Sequence, residues 1–302
     1  VMAMVNERFI ASDSRRRTAL RRRSRKSMQP GERIALWVSR IVIWCVIVVV
    51  LLPMWFVVIA SFNPSNSYIS FSLFPSNASL ANYKVLFQGG QFWTWVRNSV
   101  LVGVVVAVAQ SFITAMSAFA FSKLRFYGRK YGLMTLLLLQ MFPNILAIAA
   151  FYTALAKLNM IDMLGSYILV MLGTSAFNIW LLKGYMDSVP RELDEAAVID
   201  GATTWQRFVH VTLPLSTPMM VVIFFLTLVG IFSEYMFAGT ILQSPWNYTL
   251  GVGMYNLISG QFAKNWGEFA AAALLSAVPL AIVFALAQRY LTKGLVAGSV
   301  KG

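Results

Sequence analysis

The residues able to do chemistry are few and crowded together. The stretch Asp187 to Pro214 reads DSVPRELDEAAVIDGATTWQRFVHVTLP. It holds Asp187, Glu192, Asp194, Glu195 and Asp200, five of the eleven acids in the chain, and the only histidine, His210. Carboxylates and imidazole are the parts of general acid–base catalysis. One histidine and one cysteine, Cys45, do not suffice for a zinc site or a Ser/His/Asp triad. The remaining acids that could act, Glu234 and Glu268, are isolated in apolar surroundings. A membrane-embedded transferase would have to rely on that pair. An ion-coupled transporter would rely on Glu234, because a carboxylate inside a membrane span is functional by default. No G-x-x-x-x-G-K-[ST] loop occurs, and Lys26-Ser27 lacks the glycines. If ATP drives this protein, another subunit binds it.

The polar stretch predicts two short helices. Ser188 is expected to cap the first, with Pro190 in its opening turn and Glu192, Asp194 and Glu195 at the positive end of the helix dipole. Gly201 is expected to end it in a left-handed conformation. Thr203 and Gln206 have the spacing of a capping box for the second helix, whose apolar face is Trp205, Phe208 and Val209. On these grounds alone, an amphipathic loop between membrane helices explains the stretch equally well.

The elements that hold this stretch are apolar. Of 302 residues 58% are hydrophobic and 12% charged, so the class is an all-α integral membrane protein. The pattern predicts six transmembrane helices. The first lies in 34–62, and the others at about 98–121, 132–155, 164–183, 216–242 and 269–291. A loop at 63–96 carries Asn, Ser, Pro and the belt aromatics Phe92, Trp93 and Trp95. Small residues Ala107, Ala109, Ala115, Ser117 and Ala118 allow close helix approach in the second span. Gln140 and Asn144 beside Pro143, Asn178, and Ser233-Glu234-Tyr235 interrupt later spans. They are candidates for a polar path, or for hydrogen bonds between helices.

Charge sets the orientation. Residues 1–33 hold ten Lys/Arg, and more lie at 122–131, around 183–207 and at Arg289, Lys293 and Lys301. The positive-inside bias places both termini and the 187–214 stretch in the cytoplasm. The basic tail lacks interleaved aromatics, so the net charge of +14 reads as attraction to anionic membrane lipid and not to nucleic acid. The tail does not read as a cleavable signal peptide, since no A-x-A site follows the first apolar run.

One resemblance carries function. Glu195-Ala196-Ala197, then Gly201, then Val211-Thr212-Leu213-Pro214 resembles the EAA loop, E-A-A-x3-G-x9-I-x-L-P, of permease subunits of binding-protein-dependent ABC importers. Val211 in place of Ile is the one departure. Leu73-Phe74-Pro75 with Asn82-Tyr83, Trp266 to Ala272, Ala287-Gln288-Arg289 and the tail 293–302 resemble the smaller permease of maltose and maltodextrin importers.

The resemblance implies the type I ABC importer permease fold, with 97–292 as the transmembrane core and a cytoplasmic tail at 293–302. It implies a location in a bacterial inner membrane and an oligosaccharide cargo. Glu195, Ala196, Ala197, Gly201, Leu213 and Pro214 would couple to an ATPase. It implies a second permease as partner, two copies of an ABC ATPase holding ATP and Mg, and an extracytoplasmic sugar-binding protein, with no cofactor in this chain. The loop 243–268 would face the binding protein through Tyr255, Asn256 and Gln261. Gln140, Asn144, Asn178, Ser233, Glu234 and Tyr235 would line the substrate path.

Overall fold

A computed structural model describes residues 30–64, 74, 77–141, 144–259 and 265–297. The basic tail before Pro30, Phe142-Pro143, Gln261 and residues 298–302 lie outside the described residues. The chain divides into two compact units, Val1–Phe56 and Val57–Gly302. The first unit contains most of α1 (Pro30–Phe62), a helix with Pro53 inside it and an 18-residue window of mean hydropathy 3.0. At 1.5 Å per residue such a helix is about 50 Å long, enough to cross a bilayer.

The second unit is built on α3 (Gln91–Lys123). Ahead of it sits the short helix α2 (Ala81–Gln88), within the segment expected to be a loop. α2 is tied down by Asn82, whose amide donates to the carbonyls of Ser61 and Asn63 at 2.9 Å, and by Tyr83, whose hydroxyl donates to Ser61 Oγ. The path then runs through α4 (Arg129–Met141), a 3-10 turn at Asn144–Ala147, α5 (Ile148–Lys157), α6 (Leu164–Leu172) and α7 (Ala176–Ser188). The polar stretch follows as α8 (Arg191–Ile199), α9 (Thr204–Gln206) and a π-helical turn Arg207–Thr212. Next come α10 (Leu213–Ser233), α11 (Met236–Ile241), a 3-10 turn Pro245–Asn247, α12 (Leu250–Ile258) and α13 (Trp266–Ala297).

Among the described residues four helices are long and apolar enough to cross a membrane, and up to six spans result if each of two bent pairs counts as one. Those pairs are α4 with α5, and α6 with α7, the latter bent by 45°. The predicted third, fourth and fifth spans are thus not single rods. Each is broken where polar residues interrupt the apolar run, and a break is tolerated at that depth when side chains re-satisfy the freed backbone groups.

α3 is central because of its sequence. Val102, Val106, Ala107, Ala115 and Ala118 are all fully buried, and the small ones let α7 and α10 approach closely. On its other face Val104, Val105, Val108 and Phe112 point outward, where hydrocarbon or a partner helix is the solvent. Near the polar stretch, Phe119, Leu182, Met186, Phe208 and Ile223 form one buried cluster, so the π-helical turn is seated directly on the bundle.

Candidate functional site

The polar stretch folds as two helices locked at an angle by a single glycine. Gly201 has φ +78°, the left-handed conformation expected of it. Its N–H donates to Val198 O and that of Ala202 to Ala197 O, which closes the end of α8. Thr203 and Gln206 form the full capping box. Arg207 then reaches back across the turn, donating through Nε and Nη2 to the two carboxylate oxygens of Asp194. Both side chains are about 85% shielded, at 15% and 14% exposure, so this two-pronged pair holds α8 and the following turn as one rigid piece.

Ser188 does not cap α8. Its hydroxyl donates to Tyr185 O at 2.6 Å, so it finishes α7, and Pro190 takes the cap position without a side-chain bond. The reason is that α7 runs longer than expected, carried by the Lys183–Asp187 pair one turn apart. Glu195, Ala196, Val198, Ile199 and Gly201 are exposed, and a shallow hollow of about 330 Å³ lies beside Asp200, Gly201, Gln206 and His210. Trp205 is exposed, whereas Phe208 is buried and the half-buried Val209 packs against the same cluster; of the predicted apolar face only Trp205 stays outside the core. Leu213 is half-buried and Pro214 exposed at the start of α10.

Inside the bundle lies a cavity of about 560 Å³, within the range of small-molecule sites. Its polar wall is an amide cluster. Gln110 Nε2 donates to Met171 O at 2.6 Å and to Thr174 Oγ1 at 3.1 Å. Gln110 Oε1 accepts from Thr227 Oγ1 at 3.2 Å and from Asn178 Nδ2 at 3.4 Å. One side chain on α3 therefore bridges α6, α7 and α10. Asn178, an expected path residue, both lines the cavity and bonds between helices. Gln110 was not singled out by sequence reasoning, although a lone amide in the apolar second span was the available signal. Gln140 is exposed on α4, Asn144 opens the 3-10 turn, and Ser233 is exposed at the end of α10. Among the described side chains, neither Gln140 nor Ser233 joins the cluster.

Glu234 separates α10 from α11 in extended conformation. Its carboxylate accepts from Phe237 N at 2.7 Å, Ala238 N at 2.9 Å and Tyr167 Oη at 2.9 Å. It thus caps α11 and anchors it to α6. Gly251 makes this possible, because a Cβ there would lie 2.4 Å from Glu234 O. Glu268 sits in the first turn of α13, partly buried.

At the same end of the bundle Asp162 forms a clasp. Its carboxylate accepts from Gln243 N at 2.9 Å, Ser244 N at 3.0 Å, Ser244 Oγ and Asn247 Nδ2, while its N–H donates to Ile241 O. Burial raises the carboxyl's pKa, but the bonds from Ser244, Asn247 and Gln243 outweigh it and hold it down at about 2. Beside the clasp a second cavity, of about 590 Å³, is lined by Tyr235, Gln243, Tyr248, Tyr255 and Asn256. It shares Ile145, Ile148 and Met236 with the inner cavity.

Residues 117–296 match the family described as binding-protein-dependent transport system inner membrane component. The galactooligosaccharides transport system permease protein GanQ of Bacillus subtilis (strain 168) is 38% identical over 275 residues, 89% of this chain and 96% of that protein. The maltose/maltodextrin transport system permease protein MalG of Vibrio vulnificus (strain YJ016) is 37% identical over 288 residues, 88% of this chain and 96% of that protein. Among solved structures, a chain of a bacterial ABC transporter involved in the import of the acidic polysaccharide alginate superposes with TM-score 0.73 at 22% identity, covering 87% of this chain and 99% of that one.

Proposed function

Since this chain belongs to the family of binding-protein-dependent transport system inner membrane components, we propose that it is the permease through which an ATP-driven importer passes an oligosaccharide of the maltodextrin or galacto-oligosaccharide class. It is a transport subunit, and in these systems ATP hydrolysis belongs to a separate subunit. The observation that carries the mechanism is the rigid pair of short helices, turned at Gly201 and pinned by Asp194–Arg207. Ala196, Ala197 and Gly201 present small residues, with Glu195 beside them, for a groove on the ATPase. Leu213 and Pro214 begin the helix that the lever moves. Closure of two ATPase copies around ATP and Mg would push this piece and tilt α10 against α3, a rigid-body switch between inward- and outward-open states.

The path runs through the inner cavity, past Asn178, Glu234 and Tyr235, with Gln140, Asn144 and Ser233 along the wall shared with a second permease subunit. Tyr255 and Asn256, both exposed on α12, and Gln261 would meet an extracytoplasmic sugar-binding protein. The setting is the inner membrane of a bacterium, with six spans and both termini in the cytoplasm. Purification with its partner subunits and a screen of saccharides for stimulated ATPase activity tests the function. Stimulation by maltodextrins or galacto-oligosaccharides is expected, and stimulation by none of them would remove the cargo assignment. The orientation has its own check. With exposed Cys45 first replaced by alanine, a cysteine at Ser79 should react with an impermeant reagent from outside and one at Thr203 only from inside. Reversed labelling would refute the topology.

A further inference from the structure

We propose that the cleft bounded by Tyr235, Tyr255, Gln243 and Asn256 is a second saccharide subsite, which takes one pyranose ring of an oligosaccharide whose leading end lies in the inner cavity lined by Asn178 and Glu234. This rests on the oligosaccharide-importer reading. A pyranose has an apolar C–H face and a rim of hydroxyls, so it asks for a flat aromatic surface with amides around it. The cleft offers both. The rings of Tyr235 and Tyr255 are stacked, with centroids 5.0 Å apart and an interplanar angle of 22°. They nonetheless remain 37% and 48% exposed, so the stack is a wall of the cleft and not part of the core.

The amides are held ready. The backbone of Gln243 is fixed twice, by its N–H to Asp162 Oδ1 and by its carbonyl, which accepts from Tyr248 Oη at 2.9 Å. The side-chain amides of Gln243 and Asn256 have no bond among the described residues, which leaves them for a ligand's hydroxyls. Tyr235 follows Glu234 directly, so the aromatic wall is mounted on the capped break between α10 and α11.

The two cavities adjoin, and the boundary they share forms a neck between them. Ile145, Ile148 and Met236 line both, and all three are apolar. A hydroxyl-covered chain does not rest favourably in such a neck, because its polar groups lose water without gaining partners. The neck therefore divides the route into an outer aromatic station and an inner station in the cavity lined by Asn178 and Glu234. A disaccharide fits either station alone, whereas a longer chain occupies both at once. Linked occupancy makes the outer station matter more for long chains than for short ones.

The test is uptake by the complete transporter, with its binding protein, in proteoliposomes. The probes are linear maltodextrins and galacto-oligosaccharides from di- to hexasaccharide. Tyr235→Ala should raise the apparent KM for the hexasaccharide about tenfold, and for the disaccharide less than about twofold. Tyr235→Phe, which keeps the ring, should restore the wild-type length profile. An equal effect at every length would mean a structural or docking role and would overturn the subsite, as would an unchanged profile in Tyr235→Ala. If the unmodified transporter takes up none of these saccharides, the importer reading fails first and the subsite with it.

Discussion

Gly201→Val is expected to insert in the membrane in normal amount and to lose transport. The space beside Gly201 is open, with no atom within 4 Å of where a Cβ would stand, so no clash inside this chain opposes the change. The opposition comes from the backbone. At φ +78° a β-branched residue is strained by about 1–3 kcal/mol. The chain can relieve that strain only by swinging α8 against the turn that follows, which pulls on the Asp194–Arg207 pair. The surface offered to the ATPase is then both misdirected and bulkier. A loss of 1–3 kcal/mol in docking lowers binding roughly fivefold to a hundredfold. Glu195→Lys acts by another route, since it reverses a charge on the exposed face of α8 offered to the ATPase. Co-purification of the ATPase with each variant, alongside sugar uptake, decides the matter. Normal assembly and uptake in Gly201→Val would mean that this segment is not the coupling element.

The second large effect is expected at Glu234. Glu234→Ala leaves three donors without their acceptor: the N–H groups of Phe237 and Ala238, and the hydroxyl of Tyr167, a residue with no exposed surface. Each buried donor left unsatisfied costs about 1–3 kcal/mol. The sum is several kcal/mol, concentrated at the break where α10 gives way to α11. Glu234→Gln retains one carbonyl oxygen and should lose less. Tyr167→Phe removes donor and need together, so Tyr167→Phe combined with Glu234→Ala should be less damaging than the separate effects added. Thermal denaturation of the purified complex, with uptake measured in parallel, gives the ranking. A Glu234→Ala complex as heat-resistant as the original would show that the carboxylate is not the cap of this helix.

The residues differ in how far their roles could be read from sequence. The conformation of the Asp187–Pro214 stretch was legible almost residue by residue because its determinants are local. A left-handed glycine, a capping box and a run of acids act within a few residues of one another, and Gly201, Thr203 and Gln206 adopt the expected conformations. Ser188 was misread because two cues competed, and the Lys183–Asp187 pair carried α7 one turn further. Glu234 was legible as unusual but not in its role. A carboxylate in an apolar run suggests ion coupling, and only the folded chain brings Tyr167 and two backbone N–H groups to it. Asp162 was invisible, and Gln110 showed only as a lone amide in an apolar span, for the same physical reason. Their partners lie more than sixty residues away in sequence, so no local pattern marks them.

The Asp162 clasp also bears on how the protein is made. Its carboxylate waits on donors from Gln243, Ser244 and Asn247, which are synthesised 81 to 85 residues later. In between, the chain must lay down α6 and α7, turn at Gly201, and thread α10 across the bilayer. During that interval Asp162 can be satisfied only by water. The clasp closes when the last of these helices has arrived at the correct end of the bundle. A chain whose α10 has not yet reached this end of the bundle therefore keeps an unpaired Asp162 carboxylate.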